Sequence, residues 1–312
     1  MKDKKKNYHV GYDRMTQLQL HSLMLPGTIL LLLFNIVPLF GLLLAFKFYK
    51  VTDGFAGIFT SPWYGFQNFK IIFANHDFLR MLRNTLGINL IGNLIQIPAA
   101  LFFALLINEI GNKRLKSFVQ TVTYMPHFIS WVVFGGIVVT LLSADGGMLN
   151  QILQGLHIIS EPITFMAEPK YFWAIAILSN LIKEVGWGTI LYTAAIAGVD
   201  QELYEAADLD GAGRFRKMIS VTLPCIKPTI MIMIIFAMAG IMNNSFDQIY
   251  VFQNPFNLET SEVIDTYIYK VGLQQLQFGM ASAINIFKSV IAITLLFLAN
   301  KISDKLTGDG LF

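Results

Sequence analysis

Long apolar runs, each about the length of a bilayer crossing, alternate along this chain with short polar segments rich in turn-forming residues. Six runs stand out, at 23–46, 86–107, 118–142, 172–199, 225–246 and 283–300. Crossing about 30 Å of hydrocarbon takes about 20 residues of α-helix. A strand of a membrane barrel would need only about ten residues of alternating character. Lipid offers no hydrogen-bond partner to a peptide group, so helix and closed barrel are the two ways across. The length of the runs selects helix. The pattern predicts an all-α integral membrane protein with six transmembrane helices. Pro38, Pro98 and the pair Gly135-Gly136 fall inside predicted spans, where they are read as kinks and sites of close packing.

Composition agrees. Of the 312 residues 54% are hydrophobic and 14% charged, against about 25% charged in an ordinary soluble domain. The formal charge of +3 is mild, and no basic stripe with interleaved aromatics points to nucleic acid. Lys2, Lys4, Lys5, Lys6 and Arg14 precede the first apolar run, which is too long for the core of a secretion signal and lacks a small-x-small cleavage site. It reads as an uncleaved first span. Orientation follows the placement of Lys and Arg. Segments 1–22, 109–117, 199–227 and 301–312 together hold 14 of the 23, and the segments on the opposite side hold 7. Both termini are therefore expected in the cytoplasm. The expected organisation is a cytoplasmic tail at 1–22, a first transmembrane helix at 23–46, and a core of five transmembrane helices at 80–302 with an inward loop at 200–224. Cys225 is the only cysteine, which rules out an intrachain disulfide.

The inward loop at 200–224 differs in character from every other connection. Asp200 is placed to cap a short helix, and Glu202, Glu205, Asp208 and Asp210 give that helix an acidic surface. Gly211 can take the left-handed conformation that ends a helix without the cost of about 1–2 kcal/mol met by other residues. Arg214, Phe215, Arg216 and Lys217 then open a second short helix, expected to close before Pro224. Ala206 and Ala207 give the first helix a low profile that lets another surface approach its backbone. The element has the shape of a docking knob.

These residues carry a resemblance. Glu205-Ala206-Ala207, three residues, Gly211, nine residues, and then Val221-x-Leu223-Pro224 match the EAA signature of ABC importer permeases, with valine in place of isoleucine as the one departure. Further segments resemble the carbohydrate permeases of the lipoprotein/polysaccharide type: Leu25-Pro26-Gly27, Gly65-x-x-Asn68-Phe69, Arg83-Asn84-Thr85-Leu86, the stretch from Tyr124-Met125-Pro126-His127 to Val133, and Ser261 to Tyr267 with Gly272-Leu273. The resemblance implies the type I importer permease fold, five core helices preceded by an extra one, in a bacterial plasma membrane. It implies that Glu205, Ala206, Ala207, Asp210, Gly211, Leu223 and Pro224 belong to the surface that couples to a separate ATPase. The implied partners are a second, unlike permease, two ATPase subunits that bind ATP and magnesium, and an extracytoplasmic solute-binding protein. The implied solute is an oligosaccharide, and no cofactor is expected on this chain.

Polar side chains inside a span are costly and tend to face protein or a solute path. The candidates for such a path are Asn180, Glu184 and Trp187, with Lys183, in the fourth span, and Asn243, Asn244, Asp247 and Gln248 near the outer end of the fifth. Amides and an aromatic ring suit the hydroxyls and C–H faces of a sugar. Hydrogen bonding between helices, or a Lys183–Glu184 pair reaching for the interfaces, accounts for the same residues without a solute. The five histidines show no metal-ligand spacing, and His127 beside Pro126 reads as a packing residue. No phosphate-binding G-x-x-x-x-G-K-[ST] loop is present, and Gly211-Ala212-Gly213 makes no nucleotide fingerprint, so ATP chemistry belongs to a partner. A secondary transporter would want central charges in several spans and has no use for the docking loop. A membrane enzyme would show clustered His, Asp or Ser at one depth. A permease for a non-sugar solute is the nearer alternative.

Overall fold

The chain is helical almost throughout in the computed structural model, which describes residues 13–307. Residues 1–12 of the expected tail and residues 308–312 lie outside the described residues. The first helix, α1 (Arg14–Leu31), begins ahead of the expected edge at 23 and continues through a π turn at Leu32–Ile36 and a 3-10 stretch at Val37–Phe46. Pro38 explains the change of register, since it has no N–H to give the ladder. There follow α2 (Gln67–Ala74), α3 (Phe78–Asn108), α4 (Lys113–Tyr124), α5 (Trp131–Leu141) and α6 (Met148–Gly155). The second half holds α7 (Phe172–Ala197), α8 (Gln201–Leu209), α9 (Arg214–Lys217), α10 (Lys227–Ala239), α11 (Phe246–Phe252), α12 (Ile264–Tyr269) and α13 (Phe278–Thr307).

Among the described residues, four helices are long and apolar enough to cross a bilayer unbroken: Arg14–Phe46, Phe78–Asn108, Pro169–Ala197 and Phe278–Lys305. Two bent pairs pass the same test of length and composition, and counting each as one crossing brings the number to as many as six. The third predicted span, 118–142, is not one helix. Lys113–Phe128 and Trp131–Leu141 meet at 96°. Pro126 ends the first part, and Ser130 starts the second by accepting the N–H of Val133 at 3.3 Å. The fifth predicted span, 225–246, is shorter than expected: its helix stops at Ala239, and residues 240–245 are unwound before α11 begins. The segment Arg214–Cys225 joins α10 at 64°.

α3 and α7 form the central pair. Close approach is possible because small residues sit at the seam: a Cβ on Gly87 would fall 2.2 Å from the Trp173 ring, and one on Gly188 would fall 3.0 Å from the Ala100 Cβ. α4 approaches α7 in the same way, a Cβ on Gly186 falling 2.0 Å from the main-chain oxygen of Thr123. Ile88, Phe172, Ile177, Ile249, Phe252 and Val263 fill the core at the end of α7 where that helix begins, and Ala100, Ala104, Tyr192, Ile196 and Ile226 at the end where it leads into α8. The lipid-facing sides of α1, α3 and α13 are left apolar and exposed.

The short motifs singled out in the sequence prove to be fasteners between these elements. Asn68 donates to the main-chain oxygen of Ala45 at 2.9 Å, tying α2 to the end of the first helix. Asn84, wholly buried, donates to the main-chain oxygens of Glu259 and Glu262 at 3.0 Å each, and Thr85 Oγ1 accepts the N–H of Ile264 at 2.9 Å. Arg80 pairs with Glu262 at 3.1 Å and Asn75 donates to the Tyr267 hydroxyl at 2.9 Å. The 83–86 and 261–267 motifs are two halves of one joint.

Asn84→Ala strips the donor from the buried carbonyl of Glu262, worth on the order of 1–3 kcal/mol when left unpaired, and from the partly buried carbonyl of Glu259. The purified variant is expected to melt in detergent well below the parent, whereas exposed Lys70→Ala leaves the melting temperature unchanged; equal melting of both variants refutes the joint.

Candidate functional site

Two regions of the fold hold most of the residues to which the sequence pointed. The first is the loop between α7 and α10. Asp200 caps α8, its carboxylate accepting the N–H of Glu202 at 3.0 Å. The helix ends in a paired return: the N–H of Ala212 donates to the oxygen of Ala207 at 2.9 Å and that of Gly211 to the oxygen of Asp208 at 3.0 Å. This pairing needs a left-handed residue, and Gly211 stands at φ +73°. Asp210 lies at the cap itself, exposed.

The second arm of the loop differs from expectation. Instead of closing before Pro224, α9 passes through a π turn at Met218–Thr222 and on to Cys225. The proline sits at the start of a fresh helical turn, where its missing N–H costs nothing. Val221 and Leu223 pack against the inner core of α3 and α7, and Tyr204 shares a hydrogen bond of 2.9 Å with Thr222. Lys217 pairs with Asp208 at 2.8 Å. The two arms are thus braced on each other and on the membrane helices. What they turn outward is Leu209, 91% exposed, with Phe215, Glu205 and Ala206. Ala206, Ala207, Asp210 and Arg216 line a shallow groove of about 340 Å³ beside them.

The second region is a cavity of about 220 Å³ between α3, α7 and the unwound stretch before α11. Asn180, Asn243, Asn244 and Gln248 meet there. Asn89 and Asn93 of α3, which the sequence reading passed over, join them. With Gln96 they recur at the spacing of one helical face, a signal that was present in the apolar run.

Main-chain groups freed by the unwinding are met by side chains from neighbouring elements. Asn89 donates to the oxygen of Ile241 at 2.7 Å, and Asp265 of α12 accepts the N–H of Asn244 at 2.9 Å. Lys288 of α13 in turn holds Asp265, which accounts for a lysine buried in the sixth span. Gln248 is anchored to the oxygen of Ala176 at 2.6 Å. The Asn244 side chain is only 8% exposed, yet neither its oxygen nor its nitrogen has a partner. Amides carry both donors and acceptors without charge, so the cavity can exchange hydrogen bonds with a neutral polar group.

The remaining candidates lie elsewhere. Glu184 and Trp187 are further along α7, beside the break in the third span, and Asp247 is exposed on α11 away from the cavity. The Lys183–Glu184 pair does not reach for the interfaces: it closes on itself midway along α7 at 2.9 Å. His127 is more than a packing residue, since its Nδ1 donates to Glu184 at 2.5 Å. Among the described residues, no group of three or more His, Cys, Asp and Glu side chains could hold a metal ion.

Comparison with known proteins bears on what such an arrangement belongs to. Residues 96–308 match the model of the family described as binding-protein-dependent transport system inner membrane component. Protein LplB of Bacillus subtilis (strain 168) is 40% identical over 94% of this chain and 91% of its own length. The polygalacturonan/rhamnogalacturonan transport system permease protein YteP of the same organism is 37% identical over 99% of this chain and 95% of its own. In the crystal structure of a bacterial ABC transporter involved in the import of the acidic polysaccharide alginate, one chain superposes with a TM-score of 0.85 at 36% identity, covering 94% of this chain and 97% of that one. A family match over more than half the chain, near-complete overlap with permease relatives and a shared helical fold make this protein a member of the binding-protein-dependent inner membrane components, the permease subunits of ABC importers.

Proposed function

We propose that the chain is one of two unlike permeases through which oligosaccharides derived from complex polysaccharides enter a bacterial cell, driven by an ATPase pair docked on residues 200–224. The observation that carries the solute class is the uncharged amide cavity and the partnerless Asn244 at its wall. A buried amide without partners costs on the order of 1–3 kcal/mol, and a passing hydroxyl group that both donates and accepts offsets that cost. The names of YteP and of the alginate importer point to the same class of solute.

The drive is read from the other end of the molecule. Leu209 and Phe215 offer apolar contacts, Ala206 allows close approach, acids flank Leu209, and Arg214 and Arg216 flank Phe215. A cytoplasmic ATPase surface with a matching groove is the partner these features fit, and it would bind ATP and magnesium itself. α8 follows α7 directly and is braced on α9, so closing of the ATPase pair would rock the membrane helices and turn the cavity from one side to the other. The solute shifts this equilibrium only by the difference in its binding to the two states. Both termini and the loop lie inside the cell in this reading, as the Lys and Arg bias requires, and an extracytoplasmic binding protein delivers the solute. A likeness to an importer solved in complex with an alginate pentasaccharide-bound periplasmic protein supports that last partner.

A valine at 211 would meet no neighbour but would have to adopt φ +73°, at about 1–2 kcal/mol or more. Gly211→Val is therefore expected to insert normally but to lose co-purification of the ATPase and uptake together, with Glu205→Ala a milder version; intact uptake and co-purification in Gly211→Val would end the docking model. Asn244→Ala should leave co-purification intact and lower oligosaccharide uptake by about tenfold, and unchanged uptake would take the cavity off the path. A cysteine at 205, with Cys225 replaced, is expected to resist a membrane-impermeant thiol reagent in whole cells and to react once they are opened. Labelling from outside would invert the topology.

A further inference from the structure

The middle of α7 carries a polar cluster that the amide cavity does not use. Lys183 donates to the main-chain oxygen of His127 at 2.7 Å and to Glu184 Oε1 at 2.9 Å, while Glu184 Oε2 accepts from His127 Nδ1 at 2.5 Å. The Trp187 ring lies parallel on the His127 ring at 4.2 Å, and the Lys183 ammonium stands 5.3 Å over Trp131. Lys183 is only 4% exposed. Stability is a poor reason for such a group, because a buried ion pair is often no better than apolar residues of the same volume.

Its geometry offers a better one. The His127 oxygen belongs to the turn at which the third span breaks by 96°, so Lys183 fixes the break itself to α7. On the inner side of the break the same two elements meet twice more. Gly186 brings the α7 backbone against Thr123, and Thr189 Oγ1 donates to the Tyr124 hydroxyl at 3.3 Å. The other end of α7 runs straight into α8, about 20 Å from Glu184 at 1.5 Å per residue.

We propose that His127, Lys183 and Glu184 form a clamp that makes α7 and the inner half of the broken third span one rigid body, so that displacement delivered at α8 reaches the break and moves it. The three are positioning residues for transport. The inference rests on the coupling role given above to residues 200–224.

The test uses the whole complex, with its second permease, ATPase and binding protein, in membrane vesicles. Glu184→Gln keeps the shape and removes the charge, Lys183→Met removes the donor, and Lys183→Arg restores one. The first two are expected to assemble and to hydrolyse ATP at the basal rate, to lose about tenfold or more of maximal uptake per complex, and to keep the half-saturating solute concentration within about twofold; Lys183→Arg recovers most of the uptake. Uptake per complex within about twofold of the parent in both variants overturns the clamp, and so does a change confined to half-saturation, which marks solute contact instead.

His127→Cys with Glu184→Cys, Cys225 replaced, keeps the question decidable even where a single variant fails to assemble. A short bifunctional thiol reagent bridging the pair should restore uptake. Uptake that falls on bridging and returns on reduction means the contact must open, and overturns the proposal. If the parent chain itself brings down no ATPase, the coupling reading has failed and not the clamp.

Discussion

Hydrocarbon cannot satisfy a peptide N–H or C=O, so a helix can be interrupted at membrane depth only where protein supplies the missing partners. This chain interrupts two, and the placement of several of its intramembrane polar residues follows from that. At the unwound stretch after α10, Asn89 takes one freed carbonyl and Asp265 one freed N–H, with Lys288 holding Asp265 in place. At the break in the third span, Lys183 takes the His127 carbonyl and Glu184 balances Lys183. Charges that would be costly alone occur as neutral pairs at the two places where the backbone needs them.

The two breaks differ in what they do to the fold. The one next to α11 opens a cavity that amides from several helices surround. The other lets Trp131–Leu141 leave the axis of Lys113–Phe128, while the latter stays against α7. α7 is common to both. It lines the cavity with Asn180, grips the break with Lys183 and Glu184, and continues into the braced loop at 200–224. A single unbroken helix of 26 residues therefore touches the cavity, the break and the base of the loop.

Much of this was legible in the sequence, and the rest was hidden for definable reasons. The six apolar runs and the first arm of the loop, from Asp200 to Gly211, could be read directly, because length, hydropathy and glycine conformation are local properties; the second arm, which runs on past Pro224, could not. The breaks could not, because a hydropathy average runs across Pro126 to Ser130 and across Asn243 to Ser245 without registering that the axis turns. The Asn89 and Asn93 face was overlooked since two amides barely change the mean of an apolar run. The His127–Glu184 bond joins residues 57 positions apart, and no local pattern announces it. The motifs at 83–86 and 261–267 could be recognised as patterns, but that they bind one another is a tertiary fact.

The way the buried lysines are neutralised has a consequence for synthesis of the protein. Lys183 and its counter-ion are adjacent on one helix, so the nascent fourth span enters the translocation channel already balanced and needs no help from later segments. Lys288 finds its counter-ion 23 residues upstream, in a different helix. The last span is therefore neutralised only once it packs against the short helix before it.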